Sequence, residues 1–253
     1  MKSSRISVVT MLLWAVVSFV GKAQNQTPEK IEYGVTAGAN FSNLILNDEF
    51  KQLETKGMQL GGEMGAFMRI NLCPHFALQP ELNFYYYATG LKASVMPPLG
   101  GEEAVPHVVE NKINQWGMQI PIYAMAMIPT DCGRFYIGAG PFVGIGFAAQ
   151  TNEVEFATKW LNIPFKLKPI QLYERHNEKS ALHRWNVGIA CRMGYEFNNG
   201  ILLNLGYDYG FLDQAGDLRT SLSDHFIRTG IELRDVNYVA HQHAVSLGIG
   251  YRF

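Results

Sequence analysis

From Ile31 onward, apolar and polar positions alternate with a period of two, the pattern of extended strands whose two faces meet different surroundings. Ile31, Tyr33, Val35, Ala37, Ala39 and Phe41 share one face, opposite Glu32, Gly34, Thr36, Gly38 and Asn40. Met58 to Leu72 and Phe76 to Tyr87 repeat the pattern, with Gln59, Glu63, Arg69 and Asn71, then Gln79, Glu81 and Asn83, on the polar faces. Further stretches run from about Gln115 to Ile128, Phe135 to Ala148, Trp185 to Phe197, Ile201 to Tyr209 and His243 to Phe253. The pattern predicts eight strands.

The connections alternate in length. Brief turns are expected at Cys73-Pro74-His75, at Pro129 to Gly133 and at Asn198-Asn199-Gly200, whose Asn-Gly pair is a strong hairpin signal. Long connections are expected at about 43 to 57, 90 to 114, 149 to 183 and 211 to 239. Short turns on one rim and long loops on the other describe an all-β, eight-stranded, antiparallel up-and-down transmembrane β-barrel, with short periplasmic turns and long extracellular loops.

The polar faces decide which side meets lipid. Glu63, Arg69, Glu81, Arg192, Glu196 and Asp208 recur on one side of the strands, and a base at the membrane midplane costs roughly 2 to 4 kcal/mol. The apolar faces therefore point outward, and Tyr33, Tyr86, Trp116, Trp185, Tyr195, Tyr209, Tyr251 and Phe253 fit the aromatic girdles of a barrel. A small barrel has room inside only for packed side chains. Inward glycines such as Gly34, Gly188 and Gly194 make space for Phe67, Tyr85, Tyr87, Tyr123 and Phe142, and the expected lumen is plugged. The competing reading is a soluble lipocalin-like barrel or sandwich with long loops. Pro80, Pro121 and Pro141 resist the strand assignment, because a closed barrel has no edge to accept them; bulges or rim positions are the expected resolution.

The start of the chain adds a compartment. Lys2 and Arg5 precede an apolar run from Ile6 to Val20 and the triplet Gly21, Lys22, Ala23, the form of a secretory signal peptide. The expected organisation is a signal peptide at 1–23, a short periplasmic segment at 24–30 and an outer-membrane barrel domain at 31–253. Loss of the leader, which carries three bases and no acid, moves the formal net charge from −1 to −4. Nothing there calls for nucleic acid.

Glu63, Arg69, Glu81, Arg192, Glu196, Asp208 and Arg252 are the candidate interior polar network, read as a structural plug against a gated proton or ion path. His241 and His243 have metal-compatible spacing without a third ligand, so no metal and no cofactor is expected. His243 and Ser246 are the one pair that a lipid-modifying enzyme would use, but residues three apart on a strand face opposite sides. Cys73 and Cys132 lie in two short turns of one rim and are candidates for a periplasmic disulfide. The turns stand two strands apart, about 9.6 Å, and a bridge needs Cα atoms within roughly 7 Å. Cys191 is expected to face lipid. Residues 149–183 mix Trp160, Phe165, Ile170 and Leu172 with lysines and are the expected recognition surface.

Seven segments in order, GVTAGAN from Gly34, LQPEL from Leu78, QIPI from Gln119, YIGAGPFV from Tyr136, GYEF from Gly194, YDYGFL from Tyr207 and the ending LGIGYRF, resemble the PorT-like outer-membrane β-barrel family of Bacteroidetes over nearly the whole mature chain. All three awkward prolines fall inside these segments. The resemblance implies a fold and an outer-membrane location, and its founding member is associated with secretion and gliding. The reading is a non-enzymatic envelope protein, structural or partner-docking, with a lipid-modifying enzyme or narrow channel as the alternative. Its expected partners are outer-membrane lipid and other envelope or secretion proteins; the residues carry no signal for an oligomeric state.

Overall fold

The computed structural model describes residues 31–46, 53–95, 107–152, 154–157, 164–167, 169, 171–173, 175–176, 179–180, 182–215 and 239–253. The expected leader at 1–23 and segment 24–30 lie outside them.

Eight strands close into one barrel: β1 (Ile31–Leu46), β2 (Leu53–Cys73), β3 (Phe76–Val95), β4 (His107–Thr130), β5 (Gly133–Thr151), β10 (Trp185–Phe197), β11 (Ile201–Gly210) and β12 (Ala240–Arg252). Every strand pairs antiparallel with its neighbours in the barrel, β5 meets β10, and β1 closes on β12 from Gly34 opposite Arg252 to Leu46 opposite Ala240. Two small hairpins, β6 (Val154–Ala157) with β7 (Pro164–Leu167) and β8 (Arg175–His176) with β9 (Lys179–Ser180), occupy the connection between β5 and β10. The turns after β2, β4 and β10 share one rim. In the last of them Gly200 has φ +89°, a left-handed conformation that favours glycine.

The outward face is an apolar band. On β4 it runs from Trp116 to Ile128, both more than half exposed, a rise of roughly 30 Å for a strand tilted about 45°. Aromatic pairs bound it: Tyr86 with Trp116, ring centroids 4.6 Å apart, on the long-loop side, and Phe135 with Tyr195, also 4.6 Å, on the short-turn side. A soluble barrel would put these side chains inside.

Beyond the Tyr86–Trp116 level the polarity of the wall reverses. Leu91, Ile113 and Ala149 point inward into an apolar cluster, while Lys92, Lys112, Asn114, Gln150 and Asn152 point outward. The reversal corrects the strand ends. The connection expected at 90–114 is largely a continuation of the β3–β4 hairpin, paired out to Val95 opposite His107, and β5 runs on to Thr151. Apolar-outward alternation stops where lipid stops, but backbone pairing does not. The wall is consequently lopsided: β2 to β5 have 19 to 24 residues, β10 to β12 only 10 to 13.

The prolines sit neither at bulges nor at rims. The ladder skips the pairs around Pro80 between Phe67–Glu81 and Ile70–Leu78, and around Pro141 between Pro121–Phe142 and Ala124–Ala139, with the same register on both sides of each gap. The register shifts lie elsewhere, in β2 between Thr55 and Gly62 and between Asn71 and Cys73, and in β4 at Trp116–Gly117. At the first of these, β1 reaches across to β3. The Ser42 hydroxyl accepts from the Ala88 amide at 2.9 Å and donates to the Ala88 carbonyl at 3.0 Å, taking the place of a strand partner. Ser42→Ala strands both buried backbone groups and is expected to lower stability by roughly 1 to 3 kcal/mol, measured by urea unfolding in lipid vesicles; an unchanged midpoint would remove this role.

Candidate functional site

Alternation directs side chains from all eight barrel strands into the lumen, where they form layers. Nearest the short-turn rim, Glu196 of β10 is surrounded by arginines from three other strands. It is hydrogen-bonded to Arg69 of β2 and Arg252 of β12, and it receives Arg134 of β5 at 2.7 Å. Glu32 of β1 completes the group, 2.6 Å from Arg134, 3.5 Å from Arg69 and 3.6 Å from Arg252. Arg69 is fully buried, with the rings of Phe67 and Tyr136 at 5.4 and 5.6 Å from its guanidinium carbon. An ion buried this deeply is tolerable only when paired and hydrogen-bonded.

Gln79 links this layer to the next. Its carbonyl accepts from Arg69 Nε at 2.6 Å, and its amide donates to Glu81 at 2.7 Å. Asn83 donates to the other Glu81 oxygen at 3.0 Å. Arg192 lies 3.4 Å from Glu81 and 3.7 Å from Glu63, with its guanidinium beside the Tyr123 ring. Asp208 accepts from Gln119 at 2.7 Å and from Tyr87 at 3.4 Å. Phe67, Tyr123, Tyr136, Phe142, Met125 and Met127 pack among the charged groups as an apolar belt. Gly34 and Gly194 are where that belt needs bare backbone: a Cβ there would lie 2.3 Å from the Phe67 ring and 2.5 Å from the Tyr136 hydroxyl.

The opposite mouth is closed by apolar packing. Leu172, Tyr173 and Leu182 from the β5–β10 connection pack with Leu44, Ile113, Ala149, Ala215 and Ala240. Burial pushes the Tyr173 hydroxyl up to about 12, with the nearby Arg184 cation pulling the other way. Leu172 is therefore part of a stopper and not a surface recognition residue; Trp160 and Ile170 lie outside the described residues.

All seven residues expected in the interior network are lumenal, but they divide into two layers. Glu32, Arg134 and Gln79 were missed. Cross-strand register names the first two, since Glu32 pairs with Arg69 and Arg134 with Glu196. Arg134 escaped because the strand was started one residue late, at Phe135.

The other candidates separate. Cys73 and Cys132 are free thiols, not a disulfide, consistent with turns that stand two strand spacings apart. Cys191 is also free and exposed on the outward face. His241 and His243 point outward at the long-loop end of β12 and Ser246 points into the lumen, so the wall stands between His243 and Ser246. Among the described residues no group of three or more His, Cys, Asp or Glu could hold a metal ion. Two depressions of about 660 and 470 Å³ are lined mainly by outward aliphatic and aromatic side chains, including Met64, Phe84 and Ile249 in one and Ile137, Met193 and Leu205 in the other.

Residues 22–215 match the family described as outer membrane protein beta-barrel domain. The chain belongs to that family. Its compartment is accordingly the outer membrane, its short turns periplasmic and its long connections extracellular. Among solved structures, this outer-membrane barrel is similar to OprG from Pseudomonas aeruginosa (11% identity, 89% of this chain and 97% of that one, TM-score 0.42). It is similar also to the attachment invasion locus protein Ail of Yersinia pestis, in a structure with the heparin analogue sucrose octasulfate (12%, 88% and 99%, 0.36). Neisserial surface protein A is a third such structure (12%, 89% and 100%, 0.36). No curated protein matches the chain in sequence.

Removal of the shared anion should be the most damaging change to the periplasmic layer. Glu196→Ala leaves Arg69 buried beside two other arginines with only Glu32 to balance them, and a loss of roughly 3 to 5 kcal/mol is expected. Arg134→Gln should cost clearly less, because Arg134 is 22% exposed and reaches water. Urea unfolding of both variants in vesicles checks the order; equal losses would contradict it.

Proposed function

We propose that this outer-membrane barrel is a closed, non-enzymatic docking platform of the cell envelope, working through its outer face. The observation that carries the reading is the combination of a filled lumen with a half-wall, β2 to β5, that continues outward past the aromatic girdle. Among the described residues an apolar stopper, an aromatic belt and two ionic layers occupy the lumen, which supports a closed barrel over a solute channel. A paired hairpin standing above the membrane is a rigid support for recognition. The separation of His243 from Ser246 speaks against a lipid-modifying pair at the outer rim.

The resemblance to PorT-like barrels of Bacteroidetes suggests protein secretion as the setting, with other envelope proteins as partners. The outer wall is favoured over the periplasmic turns as the contact surface, since those turns span only a few residues, as at Asp131–Cys132 between β4 and β5.

Two measurements test the reading. In planar bilayers the purified chain is expected to show no unitary conductance; stable open channels would overturn the closed-barrel part. Photo-crosslinkers placed in intact cells at Gln150 and Asn152, on the outer wall, are expected to give discrete protein adducts where one at Asn199, in a periplasmic turn, does not. The reverse pattern would overturn the docking face. Altered lipid A masses on deletion of the protein would favour an enzyme instead.

A further inference from the structure

The lumen's formal charges do not balance. Among the described residues its two ionic layers hold five carboxylates, Glu32, Glu63, Glu81, Glu196 and Asp208, against four guanidiniums, Arg69, Arg134, Arg192 and Arg252. The periplasmic layer carries three arginines and two glutamates, an excess of one positive charge. The layer above it has Glu63, Glu81 and Asp208 around Arg192 alone, an excess of two negative charges. All four of those side chains are nearly buried, Glu63 and Arg192 at 8% and 2% exposure. Unpaired like charges in an enclosed, low-dielectric space are the arrangement in which carboxylates hold a proton.

The hydrogen bonds distinguish the three carboxyls. Both Glu81 oxygens accept N–H groups, from Gln79 and Asn83. One Asp208 oxygen accepts from Gln119 and Tyr87, while its Oδ1 is buried with no hydrogen-bond partner among the described residues. Among the described residues Glu63 has no amide donor; its near hydrogen-bonding neighbour is the Ser246 hydroxyl, which can accept as readily as donate. The charged and titratable groups facing it are Glu81, Tyr87 and, as the register partner of Glu63, Tyr85 of β3, Tyr123 of β4, Arg192 of β10 and Asp208 of β11, and β12 contributes Ser246. On β1 it lies opposite Gly38.

We propose that the upper ionic layer is a proton-binding site, with one proton carried at neutral pH on the Glu63 carboxyl. That proton brings the layer to a single negative charge, which the single excess positive charge of the periplasmic layer balances. The lumen as a whole is then neutral, with a fixed dipole along the barrel axis. The site is independent of what the outer face docks, and it ties barrel stability to pH. A proton bound in the folded barrel and absent from the ionised glutamate of the unfolded chain stabilises the fold, and this stabilisation is lost as pH rises through the range where the proton leaves.

Infrared spectroscopy of the full barrel in lipid vesicles, in heavy water, reads the proton directly. The carbonyl stretch of a protonated buried carboxyl is expected in the wild type at neutral pH and absent from Glu63→Gln, whereas Glu81→Gln and Asp208→Asn, each of which removes one of the two excess negative charges, are expected to lose it at lower pH than the wild type does. Persistence of the band in Glu63→Gln, an unchanged pH range of the band in both Glu81→Gln and Asp208→Asn, or its absence from the wild type would each overturn the assignment. Urea unfolding from about pH 5 to about pH 9 gives the second readout: the ratio of wild-type to Glu63→Gln folding constants should fall by up to tenfold per pH unit, one proton's worth. A flat ratio overturns the proposal. If Glu63→Gln does not fold, a wild-type infrared titration decides alone, because the band must disappear on alkalinisation.

Discussion

Within hydrocarbon no water is available to a backbone amide, so each must find its partner in the chain, and closure of the sheet is the condition on which everything else here rests. The β1–β12 seam meets it over the whole of β1 from Gly34 outward. The condition also explains why the irregularities are compensated locally. A proline brings no amide hydrogen, and Pro80 and Pro141 are absorbed as gaps that leave the register intact on either side. Where β2 slips against β3, the Ser42 hydroxyl supplies both a donor and an acceptor to Ala88. These are two ways of sparing a backbone group from isolation without opening the wall.

Closure then determines the contents. Eight strands enclose too little space for a water column and too much for bare backbone, so inward side chains must fill the volume, and glycines must be placed where large rings cross beneath a neighbouring strand. Above the girdle the outer solvent changes from lipid to water, and the faces exchange character: lysines and amides outside, Leu91, Ile113 and Ala149 inside. The part of the β2–β5 wall above the girdle is thus built like the wall of a water-soluble barrel, and its apolar inner face is what Leu172, Tyr173 and Leu182 cover.

This exchange marks how far the amino-acid sequence was legible. Period-two alternation identified the strands through the membrane, and the sixth predicted stretch, Trp185 to Phe197, coincides with β10. Apolar side chains point outward from about Phe135 to Phe147 and inward from Ala149 on. A strand traced by outward apolar positions alone therefore ends short of the real β5 and opens the connection between β3 and β4 too soon. The interior network was legible as a set of residues because charge on an inward face is conspicuous. Its partition into two layers was not, because layering depends on which strands stand at the same height, a property of register that a single strand's pattern does not contain. Cys73 and Cys132 share a rim but stand two strands apart around it, beyond the reach of a bridge, and both thiols are free.

Filling the lumen with ions and not with leucines needs its own explanation, since a buried ion pair is seldom more stabilising than well-packed apolar groups of the same size. Register supplies one. A slip of one residue between two barrel strands sends every inward side chain of one of them outward. For an apolar filling facing lipid, the slipped state would lose packing and little more. For β2 it would carry Arg69 and Glu63 into hydrocarbon, and for β10 Arg192 and Glu196, at roughly 2 to 4 kcal/mol for each base near the midplane, while Glu196 would abandon arginines on three other strands at once. The ionic layers penalise the wrong barrel more than they stabilise the right one. Because Glu196 draws on β2, β5 and β12 together, the penalty acts on both halves of the wall, including the seam where β1 and β12 must find each other last in sequence.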